Sequence, residues 1–352
     1  MNNLTPFKFL FTFNKKYWSP DLKTKPSFKD IVEAKNRISK FIVDTPIISS
    51  SILNDWLGHK IYFKADSFQK IGAFKSRGAS NAISWLVEED KKPKKIVANS
   101  SGNHAQAVAW ASRQFGIPST IFMPEYASKI KIQATRSYGA EVVLSPTRDE
   151  SDTKVLNESK DKDVYWLPPF NNKQVIAGQG TATLEALGKL KSVDAVFAPC
   201  GGGGLLSGAL ITVRQLCPSA KVIGAEPLNA NDAVQSVRLN SIQRLKGIPD
   251  TIADGAMTMA VGDITFEFLK KLDEFYEVEE DKIIYWTQWL NHMLKIQIEP
   301  TCAMTMEAAF RWLKKQSKKK EILIILSGGN VDDKTRRKIW KQNYLNTMPK
   351  DL

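Results

Sequence analysis

Lys75 stands in the segment Phe68-Gln69-Lys70-Ile71-Gly72-Ala73-Phe74-Lys75-Ser76-Arg77-Gly78-Ala79, at the head of a small-residue run that reads as a helix. A lysine amine held partly out of water at such a place can form a Schiff base with a carbonyl. Taken alone, the segment is more commonly explained by a lysine in a surface loop. A second segment, Asn99-Ser100-Ser101-Gly102-Asn103-His104-Ala105, follows the apolar Ile96-Val97-Ala98 and opens a helical pattern. Hydroxyls and backbone N–H groups at a helix N-terminus can hold a carboxylate, and so long a polar run exceeds what a cap needs. The third, Pro199 to Gly208, contains four consecutive glycines, Gly201 to Gly204. Their entropic cost is offset if successive N–H groups ring a phosphate. The spacing fits neither GxGxxG nor a Walker loop, so a phosphate monoester on a small cofactor is the better match. The fourth, Leu326-Ser327-Gly328-Gly329-Asn330, closes another apolar run. Its Ser327 hydroxyl could face a ring nitrogen, although a plain turn explains the segment equally well in isolation.

Each of these segments falls where a strand gives way to a helix or a turn. Strand-like runs occur at Ile96–Ala98, Thr120–Met123, Val142–Leu144, Val164–Leu167, Asp194–Ala198, Lys221–Ala225 and Ile322–Leu326. Helical periodicity fills Ala105–Phe115 and Ala127–Ser137 between them. Strands separated by helices imply parallel sheets covered on both faces. The fold class is therefore α/β, with two sheets expected.

Composition narrows the alternatives. The 352 residues are 43% hydrophobic and 25% charged, which excludes disorder and a disulfide scaffold as global descriptions. No apolar run reaches the length of a membrane-spanning helix. The net charge is +13, and Arg311–Lys341 carries eleven basic residues against three acidic ones. Such a patch could attract nucleic acid. No RNP, finger or P-loop pattern accompanies it, so a solvated basic helix face is favoured and nucleic-acid binding is not expected. Cys200, Cys217 and Cys302 are odd in number and lack CxxC spacing, which points to buried thiols in a reducing cytoplasm. The run Phe9–Phe13 is too short for a secretory signal and suggests an N-terminal arm, residues 1–27.

Taken together, the four segments resemble the fold type II pyridoxal-phosphate enzymes (tryptophan synthase β-like), in the threonine/serine dehydratase and serine racemase group. Thr45-Pro46, Val175-Ile176-Ala177-Gly178-Gln179-Gly180-Thr181, Gly224-Ala225-Glu226-Pro227 and Thr251-Ile252-Ala253-Asp254-Gly255 extend the resemblance in the same order. It implies that Lys75 carries pyridoxal 5'-phosphate, with Phe74 beside the ring. Asn103 would bond the ring oxygen, Gly201, Gly202, Gly203 and Gly204 the phosphate, and Ser327 the pyridine nitrogen. Ser100, Ser101, Gly102, Asn103 and His104 would clamp the substrate carboxylate. Lys75 and Ser101 would be the catalytic pair, working on opposite faces of Cα in racemase-like members. Glu226, the Ala230 carbonyl and Asp232 match a divalent-cation site of the racemase-like branch, suited to Mg²⁺, with Ca²⁺ or Mn²⁺ as alternatives.

The activity implied is a lyase eliminating water from L-serine, L-threonine or 3-hydroxyaspartate. An amino-acid racemase is the alternative, and a non-catalytic anion- or nucleic-acid-binding protein is the alternative from another class. The resemblance also implies a large domain of residues 28–86 plus 172–352, a small domain of residues 87–171, and a homodimer. Departures cluster around the expected substrate pocket: Ala105 where many members have glycine, amides at Asn171 and Asn172 in place of paired acids, and no specificity signature over Met257–Val261. Ile71 replaces a threonine that is frequent in the racemase branch, which argues against nucleotide regulation.

Overall fold

Ten strands form two sheets in the computed structural model, which describes residues 24–352. The Phe9–Phe13 run and most of the expected N-terminal arm lie outside the described residues. The strands are β1 (Ile47–Ile48), β2 (Lys60–Ala65), β3 (Lys95–Asn99), β4 (Ser119–Pro124), β5 (Glu141–Ser145), β6 (Val164–Trp166), β7 (Ala195–Pro199), β8 (Lys221–Pro227), β9 (Glu274–Val278) and β10 (Glu321–Leu326). The larger sheet runs β1-β2-β10-β7-β8-β9, parallel except for the β1–β2 pair. The smaller, β5-β4-β3-β6, is parallel throughout and comes entirely from residues 95–166.

The larger sheet is buried on both faces, and its side chains alternate between two cores. Ile322, Ile324 and Leu326 of β10 join Phe197 of β7 and Trp286 and Met304 of the helices Glu280–Leu294 and Pro300–Leu313 on one face. Leu323 and Ile325 pack with Val196, Leu206 and Leu210 on the other, under the helix Gly204–Leu216. This two-sided burial is why these strands read as continuous apolar runs.

Three strands were not read from the sequence, because two of them carry charges and the third is very short. β2 carries Lys60 and Lys64, β9 carries Glu274 and Glu277, and β1 is two residues long. Lys64 is fully buried, donating to Glu185 Oε2 and the Thr45 carbonyl, both at 2.7 Å. Those partners lie 121 and 19 residues away, so local patterning cannot show that the lysine belongs inside.

Glycines bring three helices into backbone contact. Gly178 in the helix Lys173–Leu190 faces Gly78 in the helix Lys75–Glu88, and Gly180 faces Gly208 in the helix Gly204–Leu216. A Cβ at Gly178 would lie 2.6 Å from the Arg77 carbonyl oxygen, and one at Gly208 would lie 2.6 Å from the Gly180 nitrogen. Side chains at these positions would force the helices apart.

Candidate active site

Lys75 begins its helix directly after an extended stretch that lies against the end of β10. The Phe74 N–H donates to the Ser327 carbonyl at 2.9 Å, and the Gly329 N–H to the Gly72 carbonyl at 3.0 Å. Two residues on, the fully buried Arg77 anchors the first turn. Its guanidinium grips Asp66 at 2.7 and 2.9 Å and Glu185 with two bonds of 2.8 Å. With four hydrogen bonds to two buried carboxylates, this fork holds the helix start in register.

Among the described residues no carboxylate pairs with the Lys75 amine. Nζ donates to the Pro169 carbonyl at 2.8 Å and lies 5.2 Å from the Phe74 ring centre. Burial lowers its pKa to about 8, and a cation at a helix N-terminus is disfavoured in the same direction. A lysine so placed is a usable nucleophile and base.

The four segments read from the sequence meet around one cavity of about 360 Å³. Phe74, Lys75, Ser100, Ser101, Gly102, Asn103, His104, Gly201, Gly202, Gly203, Gly204 and Ser327 all line it. They converge because β3, β7 and β10 point their carboxyl ends toward the same crevice, where ligands collect in open α/β sheets.

Ser100, Ser101 and Gly102 precede the helix Asn103–Gln114, and Gly102 caps it without a side chain. First-turn N–H groups therefore face the cavity free of a side-chain acceptor. His104 Nε2 donates to the Leu167 carbonyl at 2.9 Å. Burial and the nearby Lys75 push its pKa down to about 3, so the imidazole stays neutral.

The glycine run has two duties. Gly203, at φ +87°, caps the helix Gly204–Leu216 and leaves first-turn N–H groups for an anion. Gly202 has a packing reason too, because a Cβ there would lie 2.1 Å from the Phe170 ring. Phosphate approach is thus not the whole explanation for four glycines. The residues fit pyridoxal phosphate: an unpaired lysine amine, uncapped helix N-termini, the Asn103 amide and the buried Ser327 border one cavity.

Glu226 and Asp232 form a second cluster outside this cavity. Glu226 accepts from the Ala233 and Val234 N–H groups at 3.1 and 2.9 Å. Both Asp232 carboxylate oxygens are buried without a well-formed hydrogen bond, the Thr258 hydroxyl and Val261 amide only approaching. Burial and the facing Asp232 push the Glu226 pKa well up, and burial pushes Asp232 to about 7. Two buried carboxylates, of which Asp232 has both oxygens orphaned, have the oxygen chemistry a hard cation prefers. Among the described residues no group of three or more His, Cys, Asp and Glu side chains gathers as a metal site, and this set has only two carboxylates.

Other expectations are corrected. Asn171 and Asn172 do not line the cavity. Asn172 caps the helix Lys173–Leu190, accepting from Gln174 and Val175 N–H at 2.9 and 3.0 Å, and Asn171 accepts from the Ile264 N–H at 3.0 Å. Ala105 is buried within its helix, away from the cavity lining.

Several cavity residues escaped the sequence reading, namely Lys131, Arg148, Asp152 and Glu299, and Asp254 entered it only as part of the Thr251–Gly255 run, with no role assigned. Glu299 Oε1 accepts from Asn103 Nδ2 at 2.8 Å and the Asn330 N–H at 2.9 Å, while Asn330 Nδ2 donates to Asn103 Oδ1 at 2.8 Å. Burial and the charge of Asp254 push the Glu299 pKa up to about 7. Locally, Glu299-Pro300 looks like an ordinary helix start, so no sequence signal marked it. Lys131 pairs with Asp254 across the cleft between the two sheets.

The family model for pyridoxal-phosphate dependent enzymes matches residues 38–328. The chain belongs to this family. It is 41% identical to the L-threo-3-hydroxyaspartate ammonia-lyase of Saccharomyces cerevisiae over 312 residues, which cover 88% of this chain and 94% of that protein. It is 40% identical to the L-threonine ammonia-lyase of Thermotoga maritima over 308 residues, covering 87% of this chain and 76% of that protein. The crystal structure of the serine racemase from Dictyostelium discoideum superposes with a TM-score of 0.82 at 41% identity, covering 88% of this chain and all of that one. The pyridoxal-phosphate enzyme fold and a dehydratase-like enzyme class follow for this chain. Among the described residues no helix is long and apolar enough to cross a membrane.

Proposed function

We propose that this protein is an ammonia-lyase that converts a small β-hydroxy amino acid to a 2-oxo acid and ammonia. The observation carrying this reading is the Lys75 amine, paired with no acid among the described residues and with its pKa lowered to about 8, in one cavity with two helix N-termini that have no side-chain cap. Lys75 would hold pyridoxal phosphate, Gly201–Gly204 its phosphate, Asn103 and Ser327 the polar atoms of its ring, and Phe74 would lie beside it. When bound, that group supplies the electron-withdrawing system that lets a bond at Cα ionise.

The residues of the chain do the rest. The Ser100–His104 loop binds and orients the α-carboxylate, with His104 neutral and acting as a polar wall. The Lys75 amine accepts the proton from Cα. The Cβ–O bond breaks and the hydroxyl takes up one proton and leaves as water, balancing the proton taken from Cα. Hydrolysis of the released enamine consumes one water, so the net change is amino acid to 2-oxo acid plus ammonia. Ser327 offers a hydroxyl rather than a carboxylate at the end of β10. A neutral partner draws less charge into the ring, which suits elimination better than transamination.

Ser101, lining the same cavity as Lys75, supports racemisation as a second reading. We also read residues 87–171 as a small domain that closes on the cavity and excludes water. The contacts of Asn103 with Glu299 and Lys131 with Asp254 bridge the cleft in support of that reading. Glu226, the Ala230 carbonyl and Asp232 would hold Mg²⁺ as a structural ion. We further propose a cytoplasmic homodimer.

The test is 2-oxo acid release by the cofactor-loaded protein from L-serine, L-threonine and 3-hydroxyaspartate, beside Lys75→Ala and Ser101→Ala. Lys75→Ala is expected to abolish release. Retained elimination in that variant would refute the assignment. Ser101→Ala should remove any racemisation and spare elimination.

A further inference from the structure

The cavity holds more charge than the proposed reaction uses. Its acids are engaged: Asp254 by Lys131, Glu299 by Asn103 and Asn330, Asp152 by the Asn99 amide at 2.6 Å, and Asp332 by the Thr335 N–H at 2.8 Å. Its cations are Lys75, Lys131 and Arg148. Lys131 has its carboxylate and Lys75 is committed to the cofactor. Arg148 has neither role. It begins the helix Arg148–Glu158 on the small-sheet side of the cleft, is half-buried, and donates from Nη1 to the Met257 carbonyl at 3.0 Å. Among the described residues no carboxylate lies within ion-pairing distance of it, not even Asp152 one turn further along the same helix.

A guanidinium has five donors in a planar fork that matches a carboxylate. One of them is used here. In the proposed reaction the α-carboxylate goes to the Ser100–His104 loop, the Cα proton to Lys75, and the hydroxyl departs. Only the second substituent on Cβ remains to be recognised. That substituent is hydrogen in serine, methyl in threonine and a carboxylate in 3-hydroxyaspartate. Hydrogen or methyl offers Arg148 no acceptor, and a site that leaves donors unpaired discriminates against such substrates.

We propose that Arg148 recognises a side-chain carboxylate, and that the substrate class is a β-hydroxy amino acid bearing a second carboxylate, 3-hydroxyaspartate being the smallest. The inference rests on the ammonia-lyase reading. Its product is a four-carbon 2-oxo diacid together with ammonia. Arg148 sets specificity; Lys75 performs the proton transfer.

The experiment compares kcat/KM for L-threo-3-hydroxyaspartate, L-serine and L-threonine in the cofactor-loaded wild type, Arg148→Met and Arg148→Lys. Wild type is expected to favour 3-hydroxyaspartate over L-threonine by about 100-fold, the scale of a pair of charge-assisted hydrogen bonds. Arg148→Met should lower that ratio about 100-fold, chiefly through KM for the dicarboxylate. Arg148→Lys keeps the charge but loses the fork, and should lower it about 10-fold; it carries the test if the methionine variant does not fold. A wild type that prefers serine or threonine overturns the proposal. So does an unchanged ratio with all substrates falling together, which would make Arg148 a latch onto Met257. If no substrate yields a 2-oxo acid, it is the ammonia-lyase reading itself that fails.

Discussion

Two glycines of one helix, Lys173–Leu190, should respond oppositely to the same substitution. Gly188 is exposed, with nothing within 4 Å of an added Cβ. Gly188→Ala therefore gains helix propensity of up to about 1 kcal/mol. Gly178→Ala has the same intrinsic gain but places Cβ at 2.6 Å from the Arg77 carbonyl oxygen and 2.7 Å from Gly78 Cα. The first distance is 0.8 Å short of the 3.4 Å where ordinary contact begins. Both atoms are backbone, so no rotamer change relieves the clash and the helices must part. Overpacking of this kind costs about 1–3 kcal/mol, leaving a net loss of up to about 2 kcal/mol once propensity is credited. In thermal melts at equal cofactor loading, the two variants should differ in Tm by about 5 °C. The function should part as well. The displaced backbone is that of Arg77, two residues from Lys75, and a misplacement near 1 Å at a reacting group can cost about 100-fold. Oxo-acid release should fall at least tenfold in Gly178→Ala and stay at the wild-type level in Gly188→Ala. Wild-type stability and turnover in Gly178→Ala would show that the helices do not meet backbone to backbone.

Glu299 has a folded-state pKa of about 7 against an ordinary value of 4.5, so the folded protein binds its proton more tightly than the unfolded chain. Stability should then fall as pH rises from about 4.5 to about 7 and stay low above that range, by up to about 3 kcal/mol. Glu299→Gln mimics the protonated acid, since both accepted bonds go to Oε1, and urea midpoints at pH 5 and pH 8 should show a smaller pH loss in the variant than in wild type, the remainder coming from Glu226 and Asp232. Lys295, exposed at φ 57° after the helix Glu280–Leu294, occupies a left-handed cap that glycine adopts without strain; Lys295→Gly should raise stability by about 0.5–1 kcal/mol, seen as a higher Tm. Millimolar Mg²⁺ should raise the wild-type Tm and chelator lower it, a linkage of about 2.7 kcal/mol at a hundredfold excess over Kd. Asp232→Asn should abolish the response, and an unchanged Mg²⁺ effect in that variant would remove Asp232 from the cation site.

Much of this protein was legible along the chain. Ile96–Ala98, Thr120–Met123 and Ile322–Leu326 announce strands because both faces of each are buried, so every residue is apolar. The chemistry-bearing segments at Lys75, Ser100–His104, Gly201–Gly204 and Ser327 were legible because glycine and polar residues at strand ends break the apolar pattern conspicuously. Their convergence on one cavity followed from the rule that ligands gather at the carboxyl ends of parallel strands. Other features existed only once the chain had folded. Lys64 reads as a surface residue until Glu185 neutralises it inside the core. Asn171 and Asn172 look like pocket residues until the helix cap and the Ile264 amide claim them. Glu299, Lys131 and Arg148 are unmarked charges in sequence, ordinary on any helix. What gives them meaning is the surroundings: Glu299 is raised by burial beside Asp254, Lys131 is tied to Asp254 across the cleft, and Arg148 has no acid beside it among the described residues. The physical reason is range. Backbone conformation and apolar periodicity are set by near neighbours in the chain, whereas the state of a charge depends on desolvation and on partners that only the tertiary fold brings within a few ångströms.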